Sequence, residues 1–132
     1  MHAGNGAEAV VEKFLWALDK GDTEAARQLV WGHRDSPSLR RGAAYFGPGQ
    51  RIKRLVFTGN SEWGWDCRWV TVTVGWKEPH TPWPGAEAPW RAAPQTLFGV
   101  DEAKPEAWRL SFELERGRWW GAWKIIQAQG GC

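Results

Sequence analysis

Residues 9–22 read Ala9-Val10-Val11-Glu12-Lys13-Phe14-Leu15-Trp16-Ala17-Leu18-Asp19-Lys20-Gly21-Asp22, and this stretch decides the fold. Val10, Val11, Phe14, Leu15 and Leu18 recur at steps of three and four, which gathers them on one face of a helix predicted over 7–20. Glu12, Lys13, Asp19 and Lys20 fall on its flanks and far side. Trp16 falls opposite the stripe, where an interface or loop contact is expected of it. Gly21 supplies a left-handed stop and Asp22 an N-cap for a second helix over 23–31, which turns Ala25, Ala26, Leu29 and Val30 inward. A helix with one apolar stripe needs a second layer to bury it, and the rest of the chain supplies strands.

Ser36-Pro37 reads as the start of a third short helix through Leu39, Ala43 and Phe46, weakened by Gly42 and ended by Gly47-Pro48-Gly49. From there the apolar period changes to two. Lys53, Leu55 and Phe57 alternate against Ile52, Arg54 and Val56 in a strand over 51–58, followed by a turn over 60–65. A cleaner strand over 67–77 puts Val70, Val72, Val74 and Trp76 on one face and Trp69, Thr71 and Thr73 on the other. Trp108, Leu110, Phe112 and Leu114 alternate in the same way over 108–115, and a tight Arg-Gly-Arg turn leads to a last strand over 119–127. One buried and one wet face is the antiparallel signature. Helices first and antiparallel strands afterwards predict an α+β cone, a curved sheet wrapped on N-terminal helices with a pocket between them. The organisation expected is a disordered segment over 1–6, one domain over 7–129 and a tail over 130–132.

The long connection over 78–106 holds six of the eight prolines together with Trp83, Trp90, Leu97 and Phe98. A short extra strand is expected within 95–100, and the remainder either caps the mouth of a pocket or seals the edge of the core.

A chain of 132 residues with a formal net charge of +2 and scattered basic pairs lacks the dense basic face that nucleic-acid binding needs. No apolar run approaches the ~18 residues of a membrane span. The start, Met1-His2-Ala3-Gly4-Asn5-Gly6, has neither a basic nor a hydrophobic region, so no signal peptide is expected as it stands. A chain beginning after a removed signal would look the same. Cys67 and Cys132 lack a Cys-x-x-Cys spacing and are expected to be free thiols. His2, His33 and His80 are separated, so neither a metal site nor a cofactor is expected, and His80 reads as a loop histidine. Twelve Trp exceed what one small core normally consumes, so part of the set should sit in a cleft, on a surface or against a partner.

The run over 9–22 with Ala25, Ala26 and Leu29, and the closing Trp119-Trp120-Gly121-Ala122-Trp123-Lys124-Ile125-Ile126, resemble the opening helix pair and final strand of the nuclear transport factor 2-like superfamily. That group includes ketosteroid isomerases and SnoaL-like polyketide cyclases, and the look is closest to stand-alone or lipoprotein-type bacterial domains. The resemblance covers about residues 7–129. It implies a cavity between the concave sheet face and the helices, and frequent dimerisation through the sheet. It brings no catalytic set: the acidic base beside a tyrosine-containing oxyanion hole has no match, Tyr45 being the sole tyrosine.

Two constellations remain as candidates. Trp76, Trp108, Trp119 and Trp123 fall on faces assigned inward, and with Tyr45 they would wall an apolar pocket for a small apolar or aromatic molecule. Inward Trp at strand spacing is also what a filled core looks like. Trp63, Trp65, Trp83 and Trp90 lie in loops. The second constellation is His33 with Asp35 as an acid–base pair and Tyr45 as hydrogen-bond donor, which would suit a cofactor-free lyase or isomerase. The plainer reading of Asp35 is a helix cap. Trp69, Thr71 and Thr73 are what a dimerising sheet face would carry. The reading adopted is a non-catalytic binding domain whose Trp-lined pocket takes a small molecule or a partner segment, as a homodimer through the sheet, with the enzyme and a structural dimerisation or interaction domain as alternatives.

Overall fold

In the computed structural model, residues 6–33, 37–46, 49–62, 66–80, 97–117 and 121–126 are described. Among them the order is α1 (Gly6–Lys20), α2 (Thr23–Arg27), a 3-10 turn (Trp31–His33), α3 (Pro37–Phe46), β1 (Ile52–Glu62), β2 (Cys67–Trp76), β3 (Gly99–Lys104), β4 (Ala107–Arg116) and β5 (Trp123–Ile126). The fold is α+β: N-terminal helices pack on a curved, unclosed sheet of five antiparallel strands, in a cone-like arrangement.

The α1 stripe behaves as its spacing requires. Val11, Phe14, Leu15 and Leu18 are buried, with Val10 partly so, and Ala7 and Ala17 join the core. Each fully buried large apolar side chain stabilises by about 1.5–3 kcal/mol. Gly21, at φ +78°, ends the helix, and Gly21 and Asp22 amides donate to Leu18 and Ala17 carbonyls. Asp22 then caps α2 by accepting from the Ala25 amide at 3.0 Å. Two expectations for α1 are corrected. Trp16 packs against the core. Asp19 is buried, and its carboxylate accepts from the backbone amides of Arg51 (2.7 Å) and Ile52 (3.1 Å). A carboxylate near a helix C-terminus is unfavourable on its own; here it supplies the acceptors that the start of β1 needs.

The second helix is shorter than its sequence suggests. After Arg27 the chain tightens into turns, the Leu29 and Val30 amides donating to the Ala26 and Arg27 carbonyls, and then joins the sheet: the Leu29 carbonyl accepts from the Ile125 amide at 2.9 Å and Val30 forms a parallel bridge with Ile125. This bridge ties the helical layer to β5.

The sheet order is β1-β2-β4-β3, with β5 also on β4. β3 and β5 share one edge of β4: β3 pairs along its Ala107 to Ser111 half, β5 along its Glu113 to Arg116 half. The inward faces expected for β2 and β4 are observed, with Val70, Val72, Val74, Trp76, Trp108, Leu110, Phe112 and Leu114 all buried. β1 runs on to Glu62, into the segment over 60–65 expected to turn; residues 63–65 lie outside the described residues. Register shifts between Ile52 and Arg54 and between Phe57 and Gly59 break the alternation, so that Ile52 is buried while Lys53 and Arg54 both face solvent. The extra strand lies later than expected. It is β3, and the two-residue turn Pro105-Glu106 joins it to β4. Its Asp101, Glu102 and Lys104 hide the apolar alternation that would have marked it.

The last hairpin also differs. Instead of a tight Arg-Gly-Arg turn, the connection is closed by Gly117 N–H to Ala122 and Gly121 N–H to Gly117, with Gly121 at φ +66°. β5 begins at Trp123. Gly42, expected to weaken α3, is what lets α3 approach the sheet, because a Cβ there would lie 2.9 Å from the Phe98 ring. Cys67 is disulfide-bonded, against the expectation of free thiols; the chain's other cysteine, Cys132, lies outside the described residues. Separation along a sequence does not report proximity in a fold.

Candidate functional site

β2 delivers Trp76 and β4 delivers Trp108 to one end of the inner face, since Val74 and Trp108 are register partners and Trp76 follows on the same side. Their rings meet edge to face at 4.9 Å. Phe46, from the last turn of α3, closes over both, at 5.5 Å from Trp76 and 6.3 Å from Trp108. Phe98 stands edge-on to Phe46 at 6.2 Å and continues the cluster to Phe112, which in turn meets Phe14 of α1. Offset and edge-to-face pairs of this kind add about 0.5–1.5 kcal/mol each beyond their buried area.

The cluster's polar member is His80. It lies beyond the end of β2, only 6% exposed, with its ring stacked on Trp108 (5.0 Å, 16° between planes) and edge-on to Trp76 at 4.6 Å. Its amide donates to the Pro105 carbonyl at 2.8 Å, and the Trp76 amide donates to the Glu106 carbonyl at 3.0 Å. The β3–β4 turn therefore anchors the chain as it leaves β2. His80 was read from sequence as an ordinary loop histidine; Pro79-His80 close behind a strand carries no signal that separates a buried imidazole from a solvated one.

A second feature is electronic. The indole Nε1–H of Trp76 is buried and has no hydrogen-bond partner among the described residues. Well over 90% of buried polar groups in native folds are paired, so an orphaned donor of this kind asks for an acceptor.

The other expected pocket residues divide. Trp123 faces inward but is only half-buried: the Arg116 and Arg68 guanidinium groups lie 5.1 and 5.8 Å from its ring centroid, and Gly6 of α1 abuts its edge. It is far along the sheet from the Trp76 end, beside a polar chain in which Asn60 donates to Glu8 and Arg68 donates to Asn60 and Glu62. Trp119, Trp63, Trp65, Trp83 and Trp90 lie outside the described residues, as does Asp35. His33 ends the 3-10 turn and Tyr45 lies in the last turn of α3, their side chains being outside what is described. Trp69, Thr71 and Thr73 are half-buried on the outer face. Among the described residues no group of three or more His, Cys, Asp or Glu is placed to hold a metal ion, and no helix is long and apolar enough to cross a membrane.

In comparisons with known proteins, the chain matches no family model, no curated protein and no solved structure.

Proposed function

We propose that this chain is a non-catalytic binding domain, built on the cone-like plan of the nuclear transport factor 2-like superfamily, that takes a small aromatic or apolar molecule against Trp76 and Trp108. The orphaned Trp76 Nε1–H carries this reading. A flat ligand with one acceptor atom satisfies that donor and stacks where the His80 ring now lies on Trp108. His80 belongs to no strand, and its backbone amide donates to the Pro105 carbonyl. Binding is then an exchange of one stacked ring for another, with a gained hydrogen bond worth about 1 kcal/mol.

The test is a titration with 1-naphthol, a planar probe with one oxygen, followed by tryptophan fluorescence and native mass spectrometry. Saturable binding is expected, weakened about fivefold in Trp76→Phe, which keeps a ring but removes the donor. It is expected to tighten in His80→Ala, which empties the stacking position, as engineered apolar cavities take up aromatic molecules. Absence of saturable binding in both the natural chain and His80→Ala refutes the proposal.

A further inference from the structure

The outer face of the sheet carries a hollow that borders the aromatic cluster at Trp76 and is otherwise separate from it. Its floor is Gly75 and Ala107, register partners on β2 and β4, with Arg54 on β1 the partner of Gly75 on its other side. Two adjoining positions without bulk leave a cavity of about 400 Å³, walled by Lys53, Arg54, Val56, Thr73 and Glu106 and bordered by Trp76. The volume is at the small end of the range that small-molecule sites occupy.

Four local features make this more than a dip. The register shift between Ile52 and Arg54 turns two successive cations, Lys53 and Arg54, to the same side. The Arg54 stem lies over the floor, its Cγ 3.3 Å from where a Gly75 Cβ would stand, so glycine is what lets the guanidinium reach across. Neither Lys53 nor Arg54 has a carboxylate partner among the described residues. Val56, 47% exposed, adds an uncovered apolar wall next to them.

We propose that this hollow binds a small monocarboxylate with a short apolar body, of the aryl or branched aliphatic acid class. The planar Arg54 fork suits a carboxylate, Lys53 adds a point charge, the Thr73 hydroxyl is a further donor, and the ligand's body lies on Val56 and Ala107 beside the Arg54 stem that covers Gly75. Glu106 on the rim repels a second negative charge, which selects a monoanion over a dianion. The site opens on the other side of the sheet from the aromatic cluster and shares Trp76 as a border with it, but its charged partners, Lys53 and Arg54, take no part in the proposed aromatic site.

The experiment is an amide chemical-shift titration of the full chain with benzoate, set beside benzyl alcohol and inorganic phosphate. Saturable shifts at Thr73, Gly75 and Ala107 are expected with benzoate at millimolar concentration or below, with benzyl alcohol and phosphate about tenfold weaker. Arg54→Gln should weaken benzoate about tenfold, Glu106→Gln should tighten it a few-fold, and added salt should weaken it. Gly75→Val should abolish binding; because that change endangers the strand, the surface pair Arg54→Gln and Arg40→Gln keeps the test open, with only the first expected to matter. The proposal is overturned by no saturable shift at about 20 mM benzoate, by equal affinity for benzyl alcohol, or by indifference to Arg54→Gln. It is equally overturned if affinity falls as protein concentration rises, which would mean that a second copy of the chain covers this face.

Discussion

The two ends of the inner sheet face use tryptophan in opposite ways. At one end Trp76 and Trp108 meet Phe46 and His80, ring against ring, and Phe98 packs on Phe46, with nearly all water excluded. At the other, half-buried Trp123 takes two guanidinium groups near its ring, beside a hydrogen-bonded chain from Glu8 through Asn60 to Arg68. The first arrangement gains from area and shape and leaves one indole N–H unanswered. The second gains from charge and stays in touch with solvent. An indole's contribution thus depends on its neighbours more than on its own size, and among the described residues the buried polar group without a partner, Trp76 Nε1–H, is at the dry end.

The sharpest way to break this contrast is to truncate both rings. Trp108→Ala is expected to cost about 3–5 kcal/mol, since a fully buried indole leaves a cavity that its neighbours cannot close. Trp123→Ala should cost well under half of that. Equal losses in urea denaturation would remove the distinction between the ends.

Next in size is Asp19→Ala. Asp19 holds the start of β1, and thereby Ile52, beside Trp76, and its loss strands two backbone amides. A loss of about 1–3 kcal/mol is expected, with Asp19→Asn recovering part of it through its remaining oxygen. If the alanine variant unfolds at the same urea midpoint as the parent, the dry end does not depend on that anchor.

Gly42→Ala tests whether close packing decides stability at that end. Helix propensity favours alanine by about 1 kcal/mol, but its Cβ would meet the Phe98 ring at 2.9 Å, within a ring cluster that has little room to shift. Net destabilisation of about 1–2 kcal/mol is expected. A rise in melting temperature would show that the cluster yields easily.

The smallest effect belongs to the wet end. Arg68→Gln removes a partly exposed ion pair with Glu62 and one cation near Trp123, and should cost about 0.5–1 kcal/mol. That cost should shrink as salt is raised, which the same measurement at two ionic strengths will check; no comparable salt dependence is expected of Trp108→Ala.

Much of this molecule was legible from its residues. The α1 stripe, the Gly21 stop, the Asp22 cap and the inward faces of β2 and β4 all follow from periodicity and local backbone chemistry, which neighbouring residues suffice to set. What failed was whatever depends on a distant partner. Val30 leaves the second helix because Ile125, far along the chain, takes its place in a bridge. Asp19 looks like a solvated helix-end charge until Arg51 and Ile52 bring their amides to it. His80 is an unremarkable loop residue until two strands present indole rings above and beside it. The register shift that turns Lys53 and Arg54 outward together cannot be read from alternation, because it breaks alternation.

The sequence by itself therefore determined the class of fold and which faces of its regular elements are dry, because these depend on spacing within a single segment. Only the tertiary structure decided which tryptophans meet, where a buried donor is left without an acceptor among the described residues, and where two small residues open a hollow beside Lys53 and Arg54. Each of these is a coincidence of separate segments in space, and no local pattern records it.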